Sequence, residues 1–211
     1  MSGTPMRPTV QVRDLRPAEL PEAVGVLARG MRDNPVHVAA FGPDPERRRR
    51  ALTRLFGGLF RVMTAQSPLC ALDEAGTMVG TTGVFPVGTC RVTVGKRLRF
   101  MPVLVPLGPA TLWRVTTWLD AWARRDPDEP HSHLGPLAVD AHLQGHGIGS
   151  QIMREYCARL DAGGELGYLE TDKAANVRFY ERFGYSVMDE AEVLGTPNWF
   201  MQRPPRVRLA A

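Results

Sequence analysis

Gln144-Gly145-His146-Gly147-Ile148-Gly149 sets three glycines at alternate positions between an apolar run, Leu134 to Val139, and an amphipathic one, Ile148 to Leu160. That order predicts a strand, a tight loop and a helix. Glycine lets the backbone turn sharply and approach a ligand closely. A helix start adds free N–H groups and the positive end of a dipole, so the stretch reads as a phosphate cradle. Two well-known cradles do not fit. A P-loop ends Gly-Lys-[Ser/Thr], and here Gly149 is followed by Ser150 and Gln151. A Rossmann fingerprint puts its third glycine three residues after the second, where this chain has Ser150.

The rest of the chain frames that stretch. Residues 1–8 read as a disordered lead-in, residues 9–203 as a single domain, and residues 204–211 as a loose tail. Thr9 to Leu15 alternates as a first strand. Pro17 opens a helix whose apolar face is Leu20, Val24, Leu27 and Met31. Arg29 to Pro45 is broken by Gly30, Asn34, Pro35, Gly42 and Pro43, and is expected to be mostly loop. Asp44-Pro45-Glu46 is a helix start, with Leu52, Leu55, Phe56, Leu59, Phe60 and Met63 on one face. Arg47 to Arg50 then falls on the solvated side of that helix. One charge run without interleaved aromatics is a poor nucleic-acid footprint, and no nucleic-acid partner is expected.

Leu69–Leu72 and Met78–Pro86 read as a hairpin, with Gly80 and Gly83 marking a bulge or a close approach. Arg91 to Val105 is expected to be irregular or a short strand. Leu112, Val115, Trp118, Leu119 and Trp122 mark a further helix face, predicted to be core. His131 to Val139 is a strand interrupted by Pro136, which cannot donate to a ladder. Gly167 to Thr171 is a short strand and Asn176 to Phe183 a short helix closed by Gly184. Tyr185–Leu194 and Trp199–Arg203 are strands joined by a Gly195–Asn198 turn.

Composition adds exclusions. No apolar run of the 211 residues approaches the ~20 needed to span a membrane, and no secretory h-region opens the chain. Cys70, Cys90 and Cys157 show no zinc spacing and no disulfide framework, so no metal site is expected and a reducing cytoplasm is the simple reading. The net charge of +4 says little about function.

Read as Gln-x-x-Gly-x-Gly, the loop resembles that of the GNAT superfamily of acetyl-CoA-dependent N-acetyltransferases. The resemblance runs through Leu134 to Val139, Gln144 to Ser150, Tyr168-Leu169-Glu170-Thr171, Asn176, and Phe179 to Tyr185, in the family's order and spacing. The wording of the last segments is similar to the branch that contains puromycin N-acetyltransferase. Residues 30–130 carry no comparable signature. The resemblance implies an α/β (α+β) fold: a mixed, mostly antiparallel sheet with a splay between two strands, flanked by helices. It implies acetyl-CoA as co-substrate and, as acceptor, a primary amine of a small molecule, an aminonucleoside-like one among them, or of a protein. A homodimer is common in the family.

On that reading, backbone N–H groups of Gly145, His146, Gly147, Ile148, Gly149 and Ser150, with Gln144, wrap the pyrophosphate. Leu137, Ala138 and Val139 line the splay, where their free backbone groups pair with pantetheine. A backbone N–H there also serves the oxygen of the tetrahedral intermediate. Asn176 aligns with a residue that bonds the cofactor arm. Tyr180 aligns with the tyrosine facing the sulfur, a candidate general acid. Glu170, at a strand end beside the cleft, is a candidate base, with His133 or water as alternatives. No cysteine is expected in a nucleophile setting, which favours direct transfer over an acyl-enzyme. The competing reading is an acyl-CoA sensor that binds without turnover.

Overall fold

The computed structural model describes residues 9–63, 67–90 and 93–206. The alternating and β-branched runs form one seven-stranded sheet: β1 (Gln11–Asp14), β2 (Leu69–Leu72), β3 (Met78–Phe85), β4 (His131–Val139), β5 (Leu166–Thr171), β6 (Ser186–Val193) and β7 (Thr196–Arg203). Their order across the sheet is β1-β2-β3-β4-β5-β7-β6. Every pairing is antiparallel except β4 with β5. That parallel pair needs a crossover, which α6 (Ile148–Gly163) supplies.

Helices cover both faces. Alternate β4 residues face opposite ways, and each face has its own core. Ala138 packs with α1 (Leu20–Gly30), α2 (Pro35–Phe41), α3 (Pro45–Val62) and α5 (Pro109–Ala123) through Leu27, Phe41, Leu52, Phe56 and Trp118. Leu137 and Val139 join Ile152, Met153 and Tyr156 of α6 and Tyr180 of α7 (Ala174–Glu181) on the other side. Gly80 admits α6 closely: a Cβ there would stand 3.0 Å from Ile152 Cδ1.

Several local expectations give way to tertiary contacts. The 29–45 segment contains α2, because buried Asp172 caps it: Asp172 Oδ2 accepts from the Val36 amide at 2.8 Å, and Oδ1 accepts from Asn34 Nδ2 at 3.3 Å. The segment before residue 105 forms α4 (Val94–Leu104) with Pro102 inside it; Arg91 and Val92 lie outside the described residues. Thr93 caps α4 through its Oγ1, and Arg54 of α3 donates to the carbonyls of Val103 at 2.7 Å and Pro102 at 3.2 Å.

Arg48 does not face solvent with its neighbours. Its buried guanidinium donates to the carbonyls of Arg32, Gly42 and Pro43 and to Asp33. The last hairpin turns at Leu194-Gly195, both with positive φ (52° and 74°), so β7 already begins at Thr196. Two positive φ values suit a tight turn between twisted strands. Residues 204–206 are not loose, since the Arg206 amide donates to Asp161 at 2.8 Å. Residues 1–8 and 207–211 lie outside the described residues. Among the described residues, no helix is long and apolar enough to cross a membrane.

Candidate active site

The site begins where β4 leaves β5. The two strands pair only at His131–Leu166, Ser132–Gly167 and His133–Tyr168. Beyond His133, β4 stays with β3 while β5 follows β7 as far as Thr171–Trp199. The cause is local. Gly135 and Pro136 sit opposite an irregularity between Thr82 and Val84, and proline brings no N–H to a ladder. Leu137, Ala138 and Val139 therefore keep β3 on one side and have no strand partner on the other.

The glycine loop closes one end of that opening. Gly145 and Gly147 have φ of 84° and 87°, which L side chains rarely adopt. Amides of Ser150 and Gln151 bond the Gly147 carbonyl, at 3.1 and 3.2 Å, to start α6. The preceding amides have no intrahelical acceptor, as at any helix start, and are available to an anion. Not every predicted contact residue offers its side chain. Gln144 donates from Nε2 to the carbonyls of Gly30 at 3.0 Å and Val139 at 3.1 Å, so it ties the loop to α1 and β4. Ile148 is buried in the α6 core and has only its backbone to offer. His146 is exposed, with Nδ1 against the carbonyls of Leu143 and Gln144 at 3.2 and 3.1 Å.

Across the opening, α7 brings Asn176 and Tyr180 to the same cavity. Asn176 donates from Nδ2 to Thr171 Oγ1 at 3.1 Å, which orients its amide oxygen. Tyr180 is buried against Phe179 and Tyr185, with ring centroids 5.1 and 6.0 Å away. Burial first, then the charge of Asp172, pushes its phenol above the ordinary value, so it carries its proton.

Glu170 is not a solvated strand end: its side chain is only 4% exposed and its Oε2 accepts from His133 Nε2 at 2.8 Å. Around His133 stands a group the motif reading missed. His131 Nε2 lies 3.1 Å from Asp126 Oδ1 and 3.4 Å from Cys90 Sγ, and His131 Nδ1 lies 2.8 Å from the Glu129 carbonyl. Cys90 thus has a basic neighbour, contrary to expectation. Burial opposes its thiolate, but the neighbouring imidazoles of His131 and His133 outweigh that and bring the thiol down to about 7. The available signal was His131-x-His133 on a strand, since residues two apart share a face. Asp126 and Cys90 carry no such signal.

Glycine loop, splay, Tyr180, Glu170 and Cys90 all line one cavity of about 1290 Å³. That exceeds the range of ordinary single-ligand sites, about 300–1,000 Å³. Its far walls come from α3, α4 and α5, including Phe56, Phe100, Trp118 and Trp122. Trp118 is buried as predicted, yet one of its faces belongs to the cavity. Residues 197–199 do not line it; Asn198 Oδ1 accepts from Trp122 Nε1 at 3.0 Å.

A strand edge opened beside an anion cradle is the frame in which acyl-CoA-dependent transferases lay out their thioester. Residues 34–185 match the model of the Acetyltransferase (GNAT) family, and the chain belongs to that family. It is accordingly an acyltransferase, with acetyl-CoA as co-substrate. Solved structures agree in fold. A structure described as histone acetyltransferase HPA2 and related acetyltransferase, from Corynebacterium glutamicum, is 23% identical, with a TM-score of 0.72 over 96% of this chain and 99% of that one. Arylalkylamine N-acetyltransferase 2 from Aedes aegypti is 12% identical, with a TM-score of 0.62 over 94% and 100%. A GNAT acetyltransferase from Brucella melitensis, in complex with acetyl-CoA, is 19% identical, with a TM-score of 0.53 over 93% and 88%.

Proposed function

We propose that the chain transfers an acetyl group directly to a primary amine on a small molecule with a flat aromatic part, an aminonucleoside being the type. The observation that carries this reading is that Glu170 and Tyr180 line the same cavity as the glycine loop, whose acceptor side is walled by Phe56, Phe100, Trp118 and Trp122. Aromatic walls suit a planar group, and the Glu170 carboxylate suits a cationic amine.

Acetyl-CoA supplies an activated acyl group; the chain's part is to position it and move protons. Backbone amides from Gly145 to Ser150 hold the pyrophosphate, and the free edge of Leu137, Ala138 and Val139 holds the pantetheine. The Asn176 amide oxygen, fixed by Thr171, accepts from the same arm. An amine arrives protonated, and Glu170 takes that proton on Oε1 while His133 holds Oε2. A β4 amide donates to the carbonyl oxygen as charge develops. As the C–S bond breaks, Tyr180 donates its phenolic proton to the departing sulfur, and the second proton that nitrogen sheds on becoming an amide restores the phenol. His131 and Asp126 beside the Cys90 sulfur would also suit an acyl-enzyme, so an acetyl adduct on Cys90 is the observation that separates that route from direct attack.

The three cysteines are free, which suits a reducing cytoplasm. With Arg48 committed inside the protein, the Arg47–Arg50 run supports no nucleic-acid role. Residues 9–203 act as one domain in this reading, and a homodimer is the expected assembly, which sedimentation velocity tests.

An amine panel with acetyl-CoA and a free-thiol readout tests the function. Aminonucleosides and arylalkylamines are expected to release thiol, with no acetyl adduct on Cys90 by mass spectrometry when amine is left out. CoA binding without thiol release from any amine would establish a sensor instead.

A further inference from the structure

We infer that Cys90, Asp126, His131 and His133 form a tetrahedral zinc site on the wall of the acceptor cavity. One ligand atom from each, Sγ, a carboxylate oxygen and two ring nitrogens, all lie within 4.8 Å of one another. In a tetrahedral site with metal–ligand bonds of about 2.0–2.3 Å, ligand atoms stand about 3.3–3.7 Å apart. The separations here are 3.4 Å for Cys90 Sγ to His131 Nε2, 3.1 Å for His131 Nε2 to Asp126 Oδ1, and 3.6 Å for His133 Nδ1 to Asp126 Oδ1.

The hydrogen bonds around the cluster point to a cation more sharply than the distances do. His131 Nδ1 faces a backbone carbonyl, that of Glu129, and so must donate its proton there. In the neutral imidazole, the form that binds a metal, Nε2 then carries the lone pair, aimed at a carboxylate oxygen and a sulfur. His133 Nε2 faces the Glu170 carboxylate and so donates there, which leaves a lone pair on Nδ1. That Nδ1 is buried and has no hydrogen-bond partner. Two ring nitrogens, the Cys90 sulfur and a carboxylate thus share one small volume, where a metal ion would take the place of the protons between them. Each imidazole has its other nitrogen fixed by an oxygen acceptor, the arrangement that orients metal-binding histidines. One thiolate, two imidazoles and one carboxylate, four-coordinate, favour zinc over the harder magnesium or calcium.

The ligands come from three places: Cys90 ahead of α4, Asp126 after α5, and His131 with His133 on β4. A bound ion would clamp the α4–α5 segment to the sheet at the point where the acceptor enters. Sequence spacing hid this, because 35 residues separate Cys90 from Asp126. The inference does not depend on the acetyl-transfer reading.

Metal-stripped full-length protein titrated with Co(II) tests it. The expected result is one equivalent bound, with a thiolate-to-cobalt charge-transfer band and tetrahedral d–d bands that Zn(II) abolishes. Cys90→Ser should lose the charge-transfer band, and Cys157→Ser, whose thiol is buried elsewhere, should keep it. Should Cys90→Ser fail to fold by circular dichroism, Asp126→Asn is the second variant, expected to weaken Co(II) affinity at least tenfold. An octahedral spectrum, no uptake at micromolar metal, a charge-transfer band that survives Cys90→Ser, or unchanged affinity in Asp126→Asn would each overturn the site.

Discussion

His133 Nε2 stands 2.8 Å from Glu170 Oε2, across the point where β4 and β5 part. The contact joins the last paired residue of β4 to the second β5 residue beyond the pairing, so the carboxylate is held near the apex of the opening. With one oxygen occupied by His133, the other is left for an amine proton. Glu170→Gln keeps the shape and removes the base. Turnover should fall about 10²- to 10⁴-fold while CoA affinity by calorimetry stays within about twofold. Wild-type turnover in this variant would remove Glu170 from the chemistry.

Tyr180→Phe deletes one oxygen from a buried ring. The ring's contacts with Phe179 and Tyr185 survive, so folding and CoA binding should be retained. Loss of the proton donor should lower kcat about 10- to 10³-fold with little change in CoA affinity. Equal kcat with an amine substrate would assign the tyrosine to packing alone.

Gly149 stands at the first turn of α6, where an added Cβ would meet Phe179 Cζ at 3.6 Å and Val139 Cγ2 at 3.7 Å, ordinary contacts. The fold therefore tolerates a side chain there, but the cradle does not. Gly149→Val should raise the CoA Kd at least tenfold, about 1.4 kcal/mol, with a thermal midpoint close to wild type. Unchanged CoA affinity would sink the cradle assignment.

Gly30 ends α1 directly beneath the end of β4. A Cβ there would be driven into the Val139 carbonyl and onto the Ala138 side chain, 2.9 Å away. Backbone cannot step aside as a flexible side chain can, so Gly30→Ala should cost about 1–3 kcal/mol. In a chain of this size that is about 2–4 °C of Tm for each kcal/mol. Differential scanning calorimetry reads it, and an unchanged Tm would contradict the close approach.

Asp33 is held down from its ordinary 3.8 to about 2, first by the hydrogen bond from Arg32 and then by that from Arg48. A carboxyl with a depressed folded-state pKa contributes stability above its unfolded value and loses it as pH falls through the folded one. The contribution should be full above about pH 4 and fade towards pH 2. Asp33→Asn should therefore be less stable than wild type in urea at pH 6, with the gap narrowing as the pH approaches 2. A gap independent of pH would mean that the charge of Asp33 contributes nothing.

Much of the site was legible because its signals are local. Gly145, Gly147 and Gly149 announce a backbone that must turn and admit a ligand. Pro136 announces a strand that cannot keep all its partners. Asn176 and Tyr180 follow at the spacing of one short helix. Each depends on a few consecutive residues, and the sharply turning glycine loop and the splay appear where those residues placed them.

What the tertiary structure decided depends on partners distant in sequence. α2 forms because Asp172 caps it from 136 residues away, and no propensity within 29–45 encodes that bond. α4 holds its turns around Pro102 because Arg54 of α3 satisfies the carbonyls there. Gln144 belongs to the loop's motif, and its side chain is held by the carbonyls of Gly30 and Val139, one of them 114 residues away. The Cys90–Asp126–His131–His133 cluster exists only where three segments meet, so it has no spacing to read. Local geometry is written in neighbouring residues through dihedral preference and periodicity; a constellation of side chains is written in the packing that brings distant segments together.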